Sequence, residues 1–129
     1  MPYRSLVAKE LARFLKAIAH PARIRAIEEL RGGERDVNSL QAELHTSHST
    51  VSQHLMVLRA HRLVEERRDG RHVFYSLRRP ELADWLVKAM DLLPEATDEV
   101  KRLQAAIRKS RTAWQSTKRS EKPANSPSK

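Results

Sequence analysis

The stretch HSTVSQHLMVLRAHRLVEERRDGRHVFYSL, residues 48–77, contains two different spacings of apolar residues. Val51, Leu55 and Leu58 recur at intervals of three and four, which is the spacing of one buried face of a helix. After that helix, apolar and polar residues alternate, and the dipeptide DG at 69–70 favours a tight turn between two short strands. The stretch therefore predicts a helix followed directly by a basic β-hairpin.

The residues just before this helix predict the first half of a helix-turn-helix. Asn38 and Gln41 have the spacing of a capping box at the start of a short helix. His45 stands where a left-handed residue would end that helix, and Ser47 is a suitable N-cap for the next one. Two helices joined by so short a turn, with a hairpin after them, predict a winged helix-turn-helix.

Short polar side chains are concentrated at the exposed start of the helix that opens the quoted stretch. At a helix N-terminus, such donors and acceptors approach base edges and phosphates closely. The arginines beside the hairpin tip are suited to reach a neighbouring phosphate or the minor groove. The predicted DNA-binding residues are His48, Ser49, Thr50, Ser52, Gln53, His54, Arg68 and Arg71.

The net charge of +9 is unevenly distributed along the 129 residues. Residues 1–100 contain 16 Lys and Arg against 15 Asp and Glu, whereas residues 101–129 contain 9 against 1. Within the nearly neutral first part, residues 59–79 carry seven arginines and three acidic residues, a difference of +4. Such a local excess is the footprint expected of a phosphate-binding surface.

Two further amphipathic helices, around residues 7–18 and 82–93, carry apolar faces that a chain of this size has too little interior to cover. We favour a two-fold interface between these first and fifth helices of a homodimer over a purely intramolecular core. A ligand pocket around Trp85 and Met90 is a further alternative. The predicted fold class is mainly α with a small β-hairpin wing. The predicted dimer-interface residues are Leu11, Phe14, Leu82, Trp85, Leu86, Ala89, Met90 and Leu93.

The chain divides into three predicted segments. Residues 1–96 form the winged helix-turn-helix domain for DNA binding and dimerisation, and residues 97–114 form a C-terminal helical extension whose apolar pattern ends at Trp114. Residues 115–129 form a disordered basic tail, because Ser, Lys and Pro without apolar residues do not offset the entropy of ordering. Contact with DNA and plain solubility are both open roles for the tail.

Three motifs in this order resemble the ArsR family of bacterial winged-helix repressors: AHPARIR, TVSQHLMVLR and DGRHVFYSL, within residues 14–86. The resemblance implies a homodimer that binds a double-stranded DNA operator, an imperfect palindrome, and releases it when an inducer arrives. It also implies that the polar start of the fourth helix faces the major groove and that the wing arginines face the backbone. His45 and Arg62 stand where the family frequently has glycine.

Many ArsR relatives sense metal ions, but the residues that they use are missing here. The chain has no cysteine, so thiolate sites are excluded. The zinc site of other relatives needs an Asp-x-His pair after the wing, whereas Asp84 is followed by Trp85 and Leu86. We therefore expect no metal site and no cofactor, and the inducer is unidentified. A metal-responsive repressor with a non-standard histidine site is the alternative.

Three classes of function account for different parts of this pattern. A sequence-specific repressor explains the helix, the hairpin, the charge placement and the apolar faces together. A protein-interaction module explains the fold alone, and an enzyme is disfavoured because no carboxylate pair, glycine-rich phosphate loop or activated nucleophile is recognisable. Because the apolar runs are short and the N-terminal residues are charged throughout, we expect no signal peptide or membrane span and a cytoplasmic protein.

Overall fold

The described part of the protein is mainly helical, with one small sheet. The computed structural model describes residues 2–94 and 98–119. None of the helices within these ranges is both long and apolar enough to cross a membrane. The elements, in chain order, are α1 (Pro2–Ile18), α2 (Pro21–Leu30), β1 (Arg35–Asp36), α3 (Val37–Leu44), α4 (His48–Ala60), β2 (Val64–Asp69), β3 (His72–Leu77), α5 (Glu81–Ala89), a 3-10 turn (Met90–Leu92) and α6 (Asp98–Arg119).

The turn between α3 and α4 has the geometry that its sequence predicts. His45 is in the left-handed conformation, with φ 53° and ψ 45°, and its N–H donates to the carbonyl of Gln41. Ser47 caps α4, since its Oγ accepts the N–H of Thr50 at 3.1 Å. The prediction of a helix-turn-helix is confirmed.

The start of α3 differs from the prediction. The N-cap is Asp36, whose Oδ1 accepts the N–H of Ser39 at 2.7 Å, so the capping box predicted at Asn38 is wrong. The reason is tertiary: Asp36 is paired with Phe74 in the sheet, which holds its backbone extended directly before the helix. Strand β1 itself, only two residues long, was not predicted.

The hairpin predicted after α4 is present. Strands β2 and β3 are antiparallel, in a register that runs from Val64 opposite Leu77 to Asp69 opposite His72. Gly70, at the tip, has φ 63°, a conformation that favours glycine. Because β1 pairs with the other edge of β3, the sheet has the order β1-β3-β2, and the exposed end of the hairpin, residues 67–72, forms the wing.

The core lies between α2, α3, α4 and the base of the hairpin. Ile27, Leu40 and Leu55 are fully buried there. Ile24 of α2 is 36% exposed, because the buried side of α2 is formed by residues further along the helix.

The C-terminal helix is longer than predicted and docks on the core. Trp114 is 1% exposed and belongs to the core, which anchors α6 against α2. The helix continues to Arg119, into the segment 115–129 that was predicted to be disordered, so that boundary was placed too early. Because Trp114 holds this part of α6 on the core, the helix continues beyond it to Arg119. The rest of the predicted tail, residues 120–129, lies outside the described residues.

Candidate nucleic-acid interface

Helix α4 has a buried face and an open face. Val51, Leu55 and Leu58 are at most 1% exposed and fix the helix on the core. The opposite face leaves the side chains predicted to read bases accessible to solvent, as a helix that enters the major groove requires. The exposed residues on this face are His48, Ser49, Gln53 and Met56, and Ser52 between them is half-buried.

Two of the predicted DNA-binding residues, Thr50 and His54, make contacts inside the chain. The Thr50 hydroxyl accepts the Ser47 hydroxyl at 2.8 Å, within the N-cap of α4. The Nδ1 atom of His54 accepts Nε–H of Arg23 at 3.3 Å, and its ring centroid lies 4.2 Å from that of His20. Both residues are half-buried, and these contacts, rather than their burial, distinguish them from Ser52 on the open face of α4.

His54 belongs to a junction that ties three helices together. Arg23 of α2 also donates from Nη1 to the carbonyl of Ala17, near the end of α1, at 2.9 Å. His20 caps α2, with its Nδ1 accepting the N–H of Ala22 at 3.0 Å. Burial lowers the pKa of the His54 imidazole, and the charges of His20 and Arg23 lower this pKa further. The junction therefore favours a neutral His54.

The arginines of the hairpin lie on two different faces. Arg68 and Arg71 are exposed on the side of α4. Arg67 is held on the other side by two hydrogen bonds of 2.8 Å to Glu34, and its guanidinium stacks 4.7 Å from the centroid of Phe74. Arg68 of β2 therefore faces α4, whereas its neighbour Arg67 faces away from it.

A cavity of about 440 Å³ separates α4 from the hairpin. His48 and Ser52 line it from the helix, while Arg68 and Arg71 line it from the hairpin. Residues predicted separately, from a helix start and from a hairpin tip, therefore share one concave surface. We call this surface the helix–wing cleft.

Three charged residues that were absent from the predicted site also line the helix–wing cleft: Asp36, Arg59 and Glu66. Arg59 of α4 and Glu66 of β2 form an ion pair, with Nη1 of Arg59 2.7 Å from Oε1 of Glu66. Val64, Glu66 and Arg68 alternate along β2 and share one face of the strand. This alternation in the sequence could have predicted the contact, because it places Glu66 beside Arg68 on the face of β2 directed toward α4.

A second surface is apolar and lies along α1 and α5. Of the predicted interface residues, Leu11, Trp85 and Leu93 are exposed, at 55%, 44% and 45%. Leu82 is buried in the core of the same chain. Helix α1 supplies only a short C-terminal segment to that core, so most of its apolar side chains are exposed. The remaining predicted residues, Phe14, Leu86, Ala89 and Met90, are half-buried.

Among residues 2–94 and 98–119, no three His, Cys, Asp or Glu side chains are grouped closely enough to hold a metal ion.

A helix-turn-helix with an open polar face, followed by a basic β-hairpin across a shared cleft, defines a winged helix-turn-helix DNA-binding protein. Residues 20–66 match the family described as "Bacterial regulatory protein, arsR family". The NolR structure from Sinorhizobium fredii is 32% identical and has a TM-score of 0.65; the match covers 74% of this chain and 96% of that one. The chain belongs to the arsR family and is a DNA-binding transcriptional regulator.

Two other relatives extend the comparison. The "Transcriptional repressor SmtB homolog" of Synechocystis is 44% identical over 70 residues, which are 54% of this chain. The chain spans about half, 53%, of that relative's length. A homodimeric winged helix-turn-helix DNA-binding domain, Mb0332 from Mycobacterium bovis, is 26% identical with a TM-score of 0.61; the match covers 69% of this chain and 82% of that one.

Proposed function

We propose that this regulator is a homodimeric repressor that binds a specific double-stranded DNA operator. In this proposal α4 enters the major groove and the hairpin contacts the flanking backbone. The observation that carries the proposal is the helix–wing cleft, where Ser52 of α4 faces Arg68 and Arg71 of the hairpin across one cavity. A duplex that fills this cleft presents base edges to the helix and phosphates to the arginines.

Base reading is assigned to the open face of α4. Ser52 and Gln53 lie in the second turn, where their side chains are short enough to let the helix approach base edges. Gln is suited to a bidentate contact with adenine, and Ser is able to bond to several bases. His48 and Ser49, in the first turn, complete the set that we assign to the groove.

Dimerisation is assigned to the apolar surface of α1 and α5. Leu11 and Trp85 are large apolar side chains exposed in the single chain. A two-fold interface would bury both of them in each of the two subunits. The domain of Mb0332, which has the same fold, is homodimeric. A two-fold dimer presents its two α4 helices to half-sites about one helical turn apart, so we expect an operator that is an imperfect palindrome.

Recovery of bound DNA tests this proposal. Purified full chain is incubated with a random duplex library, and the retained duplexes are sequenced. We expect one enriched, imperfectly palindromic sequence and a stoichiometry of two chains per duplex. If no sequence is enriched while the chain still captures proteins, the protein-interaction module becomes the better assignment.

The dimer is tested with one substitution and a control. Trp85→Glu places a charge on the apolar surface, so we expect monomer in sedimentation and loss of operator binding. Gln115→Glu introduces the same residue at an exposed position of α6 and is expected to leave both properties unchanged. A folded Trp85→Glu dimer at micromolar concentration would contradict the assigned interface.

A further inference from the structure

Glu66 connects α4 to the wing. Its side chain is 10% exposed and lies at the floor of the helix–wing cleft. Its Oε1 atom is 2.7 Å from Nη1 of Arg59 on α4, and its Oε2 atom is 3.1 Å from Nε of Arg68 on β2. One carboxylate thus uses its two oxygens on two arginines from different elements.

A carboxylate is an unexpected group at this place. Negative charge beside DNA phosphates is repulsive, and removing a carboxylate from water costs free energy unless it is paired. Tyr75, which is buried, shares the cleft floor. Burial raises the pKa of the Tyr75 hydroxyl and the Glu66 charge raises it further, while Arg59 and Arg68 lower it. Glu66, Arg59, Arg68 and Tyr75 therefore form one interacting cluster, called the Glu66 cluster below.

The two arginines keep most of their capacity to bind phosphate. Their side chains are 57% and 73% exposed, although each is in contact with the carboxylate. A guanidinium has five N–H donors, so a contact through one nitrogen leaves others available. Holding a long side chain in its bound orientation also reduces the entropy that it loses on binding.

The hairpin provides an internal comparison. Glu34 holds Arg67 on the face of the hairpin away from the cleft, while Glu66 contacts the next residue, Arg68, on the cleft face. Two carboxylates thus set the directions of two consecutive arginines. Only the Glu66 cluster includes a residue of α4, which is Arg59.

We propose that Glu66 is a positioning residue for DNA binding. Its carboxylate holds Arg59 and Arg68 on the two sides of the helix–wing cleft, so that both guanidiniums meet the DNA backbone together and the wing keeps a fixed place relative to α4. The proposal deepens the proposed function and rests on it.

The direction in which one substitution changes the affinity for the operator tests the proposal. Glu66→Gln removes a negative charge near the DNA, so charge alone predicts tighter operator binding. Loss of positioning predicts weaker binding, by about tenfold if ordering of both arginines is lost. Glu65→Gln is the matched control, because the neighbouring residue is exposed, points to the opposite face of the strand and undergoes the same change of charge.

Salt dependence separates positioning from general destabilisation. Each phosphate that is no longer neutralised lowers the slope of log affinity against log salt by about 0.9, so Glu66→Gln is expected to lower it by roughly one to two units. Glu65→Gln is expected to retain the slope. Both variants are compared by titration with the enriched operator, at a temperature where circular dichroism shows them fully folded.

A second comparison keeps the test decisive if Glu66→Gln also loses stability. In an Arg59→Gln, Arg68→Gln background, Glu66→Gln is expected to weaken operator binding no further, because the residues that it positions are gone. Binding by Glu66→Gln that equals or exceeds wild type, or a full additional loss in the double background, would overturn the proposal. A wild-type chain that selects no operator at all would instead show that the proposed function is wrong.

Discussion

Replacing Trp114 by alanine is expected to detach α6 from the body of the domain. Trp114 is 1% exposed and packs against the core at α2, where Glu28 is also buried. Burial raises the pKa of the Glu28 carboxyl group, and the charge of Arg25 opposes this shift. Arg111, one turn before Trp114, donates to Asp91 at 2.6 Å, but the Asp91 side chain is 66% exposed, so solvent weakens this ion pair. The indole is therefore the main anchor of α6.

The expected cost follows from the area that the indole buries. A buried tryptophan removes roughly 150–250 Å² from water. At about 25 cal/mol per Å², this corresponds to roughly 4–6 kcal/mol. Truncations of buried tryptophan to alanine typically cost about 3–5 kcal/mol. We expect the lower range, about 3–5 kcal/mol, because α6 is able to separate from α2 instead of leaving an empty cavity.

Urea denaturation followed by circular dichroism measures this cost. Samples are compared at one chain concentration, since the stability of a dimer depends on it. Trp114→Phe, which keeps an aromatic ring but removes the indole N–H, is expected to lie between wild type and Trp114→Ala. Gln115→Ala, at the exposed neighbouring position, is expected to change the free energy of unfolding by no more than about 0.5 kcal/mol. A loss below about 1 kcal/mol for Trp114→Ala would refute the docking of α6 through this residue.

Two further predictions concern stability. Because the pKa of His54 is lowered from its ordinary value of 6.5, the unfolded chain binds more protons, and the stability that His54 contributes above pH 6.5 is lost as the pH falls through the folded-state pKa. Denaturation at pH 7.5 and pH 5 is expected to show this loss in wild type and less of it in His54→Gln; an equal loss in both would exclude His54 as its source. Arg62 has φ 60°, so Arg62→Gly is expected to stabilise the chain by about 0.5–1 kcal/mol, whereas Arg71→Gly, without a positive φ, is expected to destabilise it. Destabilisation by both glycines to the same extent would show that Arg62 carries no backbone strain.

Much of the fold follows from signals that are local in sequence. The spacing of Val51, Leu55 and Leu58 predicts α4, and the DG turn predicts the hairpin, because both depend on neighbouring residues. His45 is in the left-handed conformation for the same reason: the end of one helix and the cap of the next are fixed within a few residues. These local elements are sufficient to predict the winged helix-turn-helix.

The features that the sequence did not predict depend on contacts between distant segments. Asp36 replaces Asn38 as N-cap because a strand more than thirty residues later holds its backbone. His54 is engaged by Arg23, on another helix, which its place in α4 alone does not indicate. The partner of Arg59 is likewise on β2, so the Glu66 cluster becomes visible only when the wing is folded against α4.

The specificity ratio of two variants tests the central claim, that α4 reads bases. Affinity for the enriched operator and for random duplex is measured for wild type, Ser52→Ala, Gln53→Ala and, as a backbone control, Arg71→Ala. Ser52→Ala and Gln53→Ala are each expected to weaken operator binding by about 1–3 kcal/mol and to leave binding to random DNA almost unchanged. Arg71→Ala is expected to weaken both equally and to lower the salt slope by about 0.9. Equal losses on operator and random DNA for Ser52→Ala and Gln53→Ala would contradict the assignment of α4 to the major groove.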